Sequence, residues 1–279
     1  MLRRWVIVCS AVAGLLVPAA FSVAQAAPAP TKLAVPYVSE VPDGKWFGSW
    51  KNACEEASLN MVHGYYAGEE RVSVKSAKAF MQNIFNVERR LWGSDANTDV
   101  AQTIKLIAGY SDFNGRAVLS PSVADIKSEL DAGRPVIAPI NGFTLGNKEI
   151  PFLPSGSAYH MFVIVGYDEA TNNFIVNDTG DVVDGPGHLY GYDLIMRSLH
   201  DYNQATKKTN GPARAIFTYP KLVKTANSHR IYYLSGATKQ YVSHPLVFLQ
   251  RGWSTSWVQT VSADWLAQFA EGAVLDPKH

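Results

Sequence analysis

The hydrophobic and polar positions of the chain fall into two regimes, helical spacing first and strand alternation after it. From residue 53, Ala57, Ser58, Met61, Val62 and Tyr65 recur at three- and four-residue steps and define one buried face of a helix. Asn52 with Glu55 three places on is a capping-box-like start, and Gly64 and Gly68 mark the fraying and the end. Helical spacing returns at residues 74–85 and 98–110, the latter with Thr98 as N-cap and a stripe of Val100, Ile104 and Ile107. Leu91, Trp92 and Gly93, between these helices, read as cleft lining. Ahead of the first helix, residues 35–38 suit an edge strand, and a loop rich in Gly and Trp runs from 42 to 50.

Strand patterns dominate after residue 110. Residues 116–119 and 135–140 read as strands around a capped helix at 122–132 that Gly133 closes. The loop 141–159 carries Phe143, Leu145 and Phe152 among Gly, Pro and Ser, a composition of functional rims more than of packing. It ends at His160. The apolar runs 160–167 and 174–178, separated by turn residues, form a hairpin. A three-residue loop pairing Asp168 with Asn172 sets Phe162 opposite Asp178, so that His160 and Asp178 share a face as diagonal neighbours. A slip of one residue sends them to opposite faces. A strand at 187–190, a short helix at 192–199 and a strand at 213–219 complete an α+β unit, helices first and an antiparallel sheet after.

Residues 221–228 read as a linker to a segment of different texture, rich in aromatics and turns. There 230–234 and 239–242 flank Ser235, Gly236 and Ala237 as a hairpin, and 245–251 and 263–270 read as short helices. The organisation expected is therefore a signal peptide at 1–26, a linker at 27–34, the main domain at 35–222, a linker at 223–229, and a small C-terminal α/β module at 230–279. No long internal repeat is found.

Length and charge change this picture little. A chain of 279 residues has core enough for an enzyme, and a formal charge of +1 gives no reason to invoke nucleic acid. The N-terminus matters more. Arg3 and Arg4, an apolar run at 5–23 and Ala24-Gln25-Ala26 fit a secretory signal, with a retained anchor as the alternative because the run nearly spans a bilayer. No later stretch spans one. Cys9 lies inside the signal without a lipobox, so cleavage leaves Cys54 as the sole cysteine and excludes an internal disulfide. An odd cysteine in an exported chain suggests a reactive thiol or intermolecular pairing.

Cys54 stands in a first helical turn, where unpaired N–H groups and the helix dipole favour thiolate, and is expected to titrate below the free value of about 8.5. Glu55 and Glu56 oppose this, so a basic partner is needed. The alternative is a small buried hydrophobe. Of the seven histidines, His160 is singled out because it begins a buried strand, where an unpaired ring is costly. His63, nine residues along the same helix, is too distant for contact with Cys54. In chain order, cysteine at a helix start, histidine at a strand start and an acid on the next strand make a triad in which Cys54 attacks, His160 carries the proton and Asp178 orients the ring. Asn177 is the alternative orienter. His160 and Asp178 lack further closely spaced His or Cys, so no metal and no cofactor are expected.

These residues resemble bacterial cysteine peptidases of family thirty-nine and their stand-alone relatives, a papain-like group related to double-glycine leader peptidases. The likeness runs through Val35-Pro36-Tyr37, Ala53-Cys54-Glu55-Glu56-Ala57-Ser58, Leu130-Asp131-Ala132-Gly133-Arg134-Pro135, Tyr159-His160 with Val163 to Asp168, and Val176-Asn177-Asp178. It implies a papain-like fold and cleavage of a peptide or isopeptide bond through a Cys54 thioester, with Trp92, Gly93 and Tyr159 at the substrate cleft. One departure stands out. Similar enzymes supply an upstream Gln to the oxyanion, and Glu40 occupies that place here. An ionised carboxylate would repel an oxyanion, so Glu40 is protonated, turned away, or replaced by Asn52 or the Trp50 indole. The C-terminal segment resembles small modules of exported wall-associated proteins, serving either attachment or packing. With no ATP-binding segment or membrane bundle, the chain differs from transporter-fused leader peptidases. The partner expected is a peptide or protein substrate, cell-wall associated in one reading; the oligomeric state stays open. Two rivals keep the fold: a non-catalytic wall-binding protein, and an acyl or amide transferase using the same triad.

Overall fold

The computed structural model describes residues 29–147, 158–180 and 185–278. A short strand β1 (Thr31–Lys32) leads through an extended segment and one 3-10 turn (Gly48–Asn52) into three helices: α1 (Cys54–Ala67), α2 (Val74–Trp92) and α3 (Val100–Tyr110). Then come β2 (Phe113–Leu119), α4 (Val123–Asp131), β3 (Val136–Asn141), α5 (Gly142–Leu145), β4 (Tyr159–Asp168), β5 (Asn173–Asn177), β6 (Pro186–Gly191), α6 (Tyr192–Ser198) and β7 (Arg214–Pro220). The chain ends with β8 (Leu222–Thr225), β9 (Tyr232–Ser235), β10 (Thr238–Tyr241), α7 (Leu246–Arg251), β11 (Gln259–Val261), α8 (Ala263–Leu266) and β12 (Ala270–Glu271).

The main sheet is antiparallel, in the order β2-β7-β3-β4-β5-β6, with β1 against the far end of β4. This is the α+β architecture expected. β4 is its spine because consecutive residues feed two cores, as a strand's alternation requires. Met161 and Val163 join Leu59, Met61, Phe85 and Leu106 from the first three helices, whereas Phe162 and Ile164 join Ile126, Leu130, Ile195 and Phe217 on the other face. Each such fully buried side chain contributes about 1.5–3 kcal/mol relative to exposure. α1 packs across β4, which brings the start of the helix to the open end of the sheet's central hairpin.

Several local expectations are corrected. The first strand is β1 rather than residues 35–38, where Pro36 has no N–H to give a ladder; Gly166 permits the pairing, since a Cβ there would stand 2.1 Å from the Thr31 carbonyl oxygen. Residues 31–33 are therefore part of the sheet and not linker. α1 starts on Ala53 without a side-chain cap, because Asn52 closes the preceding 3-10 turn and Glu55 turns inward. Gly64 lies within the helix, close to Pro36, and Gly68 ends it with a left-handed φ of 77°. α2 runs to Trp92, and α3 takes Asp99 instead of Thr98 as its N-cap, with a full capping box to Gln102. The stretch read as a linker at 223–229 begins inside β8, whose Leu222 and Val223 are buried and which lies within a second sheet ordered β11-β8-β9-β10-β12. The expected hairpin is β9–β10, turned by Gly236 at φ 56°. The helix read at 263–270 is only Ala263–Leu266, and β11 and β12 were not foreseen. Residues 1–26 and the Phe152 part of the long loop lie outside the described residues.

Candidate active site

The hairpin register decides whether His160 and Asp178 meet. At its turn the pairing is Asp168 with Asn173, one residue away from the register expected from a three-residue loop. A bulge between Ile164 and Gly166 then absorbs the offset, and beyond it Ile164 pairs Val176 and Val163 pairs Asn177. His160, near the start of β4, and Asp178, just after β5, are thus on one face, and Nε2 of His160 lies 2.7 Å from Oδ1 of Asp178. Asp178 is wholly buried, a place where an unpartnered carboxylate would cost several kcal/mol. Its other oxygen accepts from the Tyr190 hydroxyl at 2.6 Å, and Oδ1 also accepts from the Gly180 N–H at 3.2 Å. Burial alone would raise the Asp178 pKa, but His160 and these donors outweigh it and hold the acid below its ordinary value.

Cys54 is the first residue of α1, unpaired and 2 % exposed. Its sulfur, a ring nitrogen of His160 and a carboxyl oxygen of Glu40 all lie within 4.8 Å of one another. Glu40 reaches this place because its segment is laced to the strand end carrying Asp178. Its N–H donates to Thr179 O at 3.0 Å, Tyr37 donates to Asp178 O at 3.1 Å, and the Asn177 amide donates to Val35 O at 3.1 Å. The Asn177 side chain is therefore spent on the main chain, and the ring is oriented by Asp178 instead.

The electrostatics differ from expectation. The Cys54 thiol donates to Oε2 of Glu55 at 2.9 Å, and Glu55 Oε1 accepts from the Thr98 N–H at 2.7 Å. Burial, then Glu55 and Glu40, push the thiol well above its ordinary value, so the helix start does not produce a resting thiolate. Burial would lower His160, but Asp178, Glu40 and Glu55 outweigh it and raise the ring's pKa. Glu40, 4 % exposed, is raised to about 8, chiefly by burial, with His160 opposing and Asp178 and Glu55 assisting. Near neutrality it is a carboxylic acid and a hydrogen-bond donor.

Of the other residues singled out from sequence, Tyr159 belongs to the core cluster that also holds Cys54, Trp50 and Trp92 pack against it, and burial with the nearby Glu55 and Cys54 raises the Tyr159 hydroxyl's pKa. Asn52 is exposed; Trp50 stacks edge-on to Phe85 at 5.1 Å beneath Lys78. Trp92 packs, partly buried, against the helical core, and Gly93 is the left-handed cap of α2. Tyr159 is 6 % exposed, its ring 5.1 Å from Tyr202. Sequence reasoning missed Tyr190 and Thr98, since neither belongs to a motif and each meets the site only through tertiary pairing.

No curated protein matches the chain. A solved structure described as a C39-like peptidase from Bacillus anthracis is 14 % identical, with a TM-score of 0.43, over 69 % of this chain and 98 % of that one. The family model of the Peptidase C39-like family matches residues 32–210, which include Glu40, Cys54, His160 and Asp178, and the chain belongs to that family.

Proposed function

We propose that the protein is an exported cysteine peptidase in which Cys54, His160 and Asp178 hydrolyse a peptide or isopeptide bond. The observation that carries the reading is the 2.7 Å contact of Asp178 with one ring nitrogen of His160, beside a thiol at a helix start. Because Nε2 faces Asp178, Nδ1 is the nitrogen that serves the sulfur. In the first step Nδ1 takes the thiol proton as Sγ bonds to the substrate carbonyl carbon, and the carbonyl oxygen becomes an oxyanion. The Glu40 acid donates a hydrogen bond to that oxygen. Collapse breaks the C–N bond, and the amine leaves with the proton from Nδ1. Water then gives a proton to Nδ1 and its oxygen to the thioester carbon, releasing the acid and restoring the thiol. Burial and the neighbouring carboxyls favour the thiol over the thiolate at rest, so on this reading proton transfer to the imidazole accompanies attack.

Peptide-library hydrolysis tests the assignment. Wild-type chain is expected to cleave at least one sequence, and Cys54→Ser to leave only background. Cleavage that survives Cys54→Ser contradicts the role of the thiol. The rival reading, a non-catalytic wall-binding protein, draws on the burial of Cys54 among carboxyl groups; retention on wall polymer with no cleavage in the library favours it. Export rests on the signal-like residues 1–26, and wall association on the C-terminal module. Among the described residues no helix is long and apolar enough to cross a membrane.

A further inference from the structure

We infer that Glu40, Cys54 and His160 form a three-donor site for a thiophilic divalent cation, zinc by the chemistry of its donors, and that filling it withdraws the thiol from catalysis. The inhibitory half rests on the peptidase reading; the binding half does not.

A thiolate, an imidazole and a carboxylate are the three ligand types zinc takes in proteins, and three protein donors with a fourth position left open is a common arrangement. The donor atoms here lie within 4.8 Å of one another. Zinc bonds of about 2.0–2.3 Å place tetrahedral donors roughly 3.3–3.6 Å apart, so closure needs side-chain shifts of no more than about 1 Å. All three residues are at least 96 % buried and held by neighbouring structure: Cys54 begins α1, His160 lies in β4, and Glu40 is tied by its N–H to Thr179.

The surroundings are those of a cation site. Nε2 of His160 is engaged by Asp178, and an acid behind the ring is the support that metal-bound histidines ordinarily have. Asp178 is held in turn by Tyr190 and Gly180. Binding is not a redox step: zinc replaces the proton of the Cys54 thiol, and those on Glu40 and the imidazole where present, and the protons pass to solvent.

The test is anaerobic titration of the full chain with cobalt(II), then displacement by zinc. The expected result is one cobalt per chain, with a sulfur-to-cobalt charge-transfer band that Cys54→Ser abolishes and zinc removes. Glu40→Gln, checked for folding by circular dichroism, is expected to weaken binding at least about tenfold. Should that variant not fold, Glu40→Ala serves the same purpose, since it too removes the carboxylate donor. Absence of the charge-transfer band in wild type overturns the site, and unchanged affinity in the folded Glu40→Gln protein overturns the part given to Glu40. Alkylation of Cys54 by an epoxide probe separates the two halves. Zinc is expected to block it; labelling at full rate with metal bound overturns the inhibition alone. A wild-type thiol that stays unreactive without metal overturns the peptidase reading and leaves the binding result standing.

Discussion

Cys54 and Glu40 share one low-dielectric space, and their protonation states oppose each other. On the proposed mechanism the thiol loses its proton to His160 during attack, while Glu40 keeps its own to donate to the oxyanion. In the presence of a chelator, kcat/KM is therefore expected to rise as His160 deprotonates, with a midpoint above the ordinary value of 6.5, and to fall as Glu40 ionises near 8. Glu40→Gln keeps a neutral donor at every pH. It is expected to change little near neutrality, to remove the falling limb, and to exceed wild type above pH 8 by roughly ten- to a thousandfold. A falling limb that persists in Glu40→Gln assigns it to another group. At this scale the sequence was legible where a residue type carries its own chemistry: an odd cysteine, a histidine opening an apolar run, an acid on the next strand. The thiol's environment was not legible, because Glu55 and Glu40 act through burial and distance, and a pattern along the chain carries neither.

At the scale of elements, the hairpin shows how a wrong local premise leads to the right contact. The turn holds one residue more than a three-residue loop, and the bulge near Val165 returns the register before the site is reached. Period-two alternation limited the choices to two faces; only the paired backbone distinguishes them. A second feature of the helices was invisible in sequence. Glu56 of α1 and Glu88 of α2 are buried and act on each other electrostatically, and Glu88 is raised from 4.5 to about 8, mainly by burial. Glu88 therefore keeps its proton in the folded chain at pH values where the unfolded chain has lost it. Its contribution to stability is whole below 4.5 and is lost as pH rises through about 8. Melting temperature is expected to fall across that window, and Glu88→Gln to flatten the fall. A wild-type chain that gains stability from pH about 5 to about 8 contradicts this.

For the whole molecule, the main and C-terminal sheets are joined by packing as well as by chain. Tyr219 of β7 packs with Trp265 and Phe269, Arg134 lies over Trp265 at 5.3 Å, and Asn114 donates to Leu234 O at 3.0 Å. A change of texture near residue 221 was visible in sequence, but the buried Leu222 and Val223 were too short a signal to show that β8 belongs to the second sheet. Deleting residues 226–279 strips β8 of both neighbours, so the truncated chain is expected to melt lower than the full chain and to gain stability when the cut is moved to follow Pro220. Equal melting of the full chain and the 226–279 deletion contradicts that coupling. The central claim is a thiol activated by an oriented imidazole, and the rate of Cys54 modification by a peptidyl epoxide tests it most directly. With chelator present, wild type is expected to be labelled at Cys54, His160→Ala at least about a hundredfold more slowly, and Asp178→Asn between them. Labelling of His160→Ala at the wild-type rate would mean an ordinary buried thiol and contradict the account.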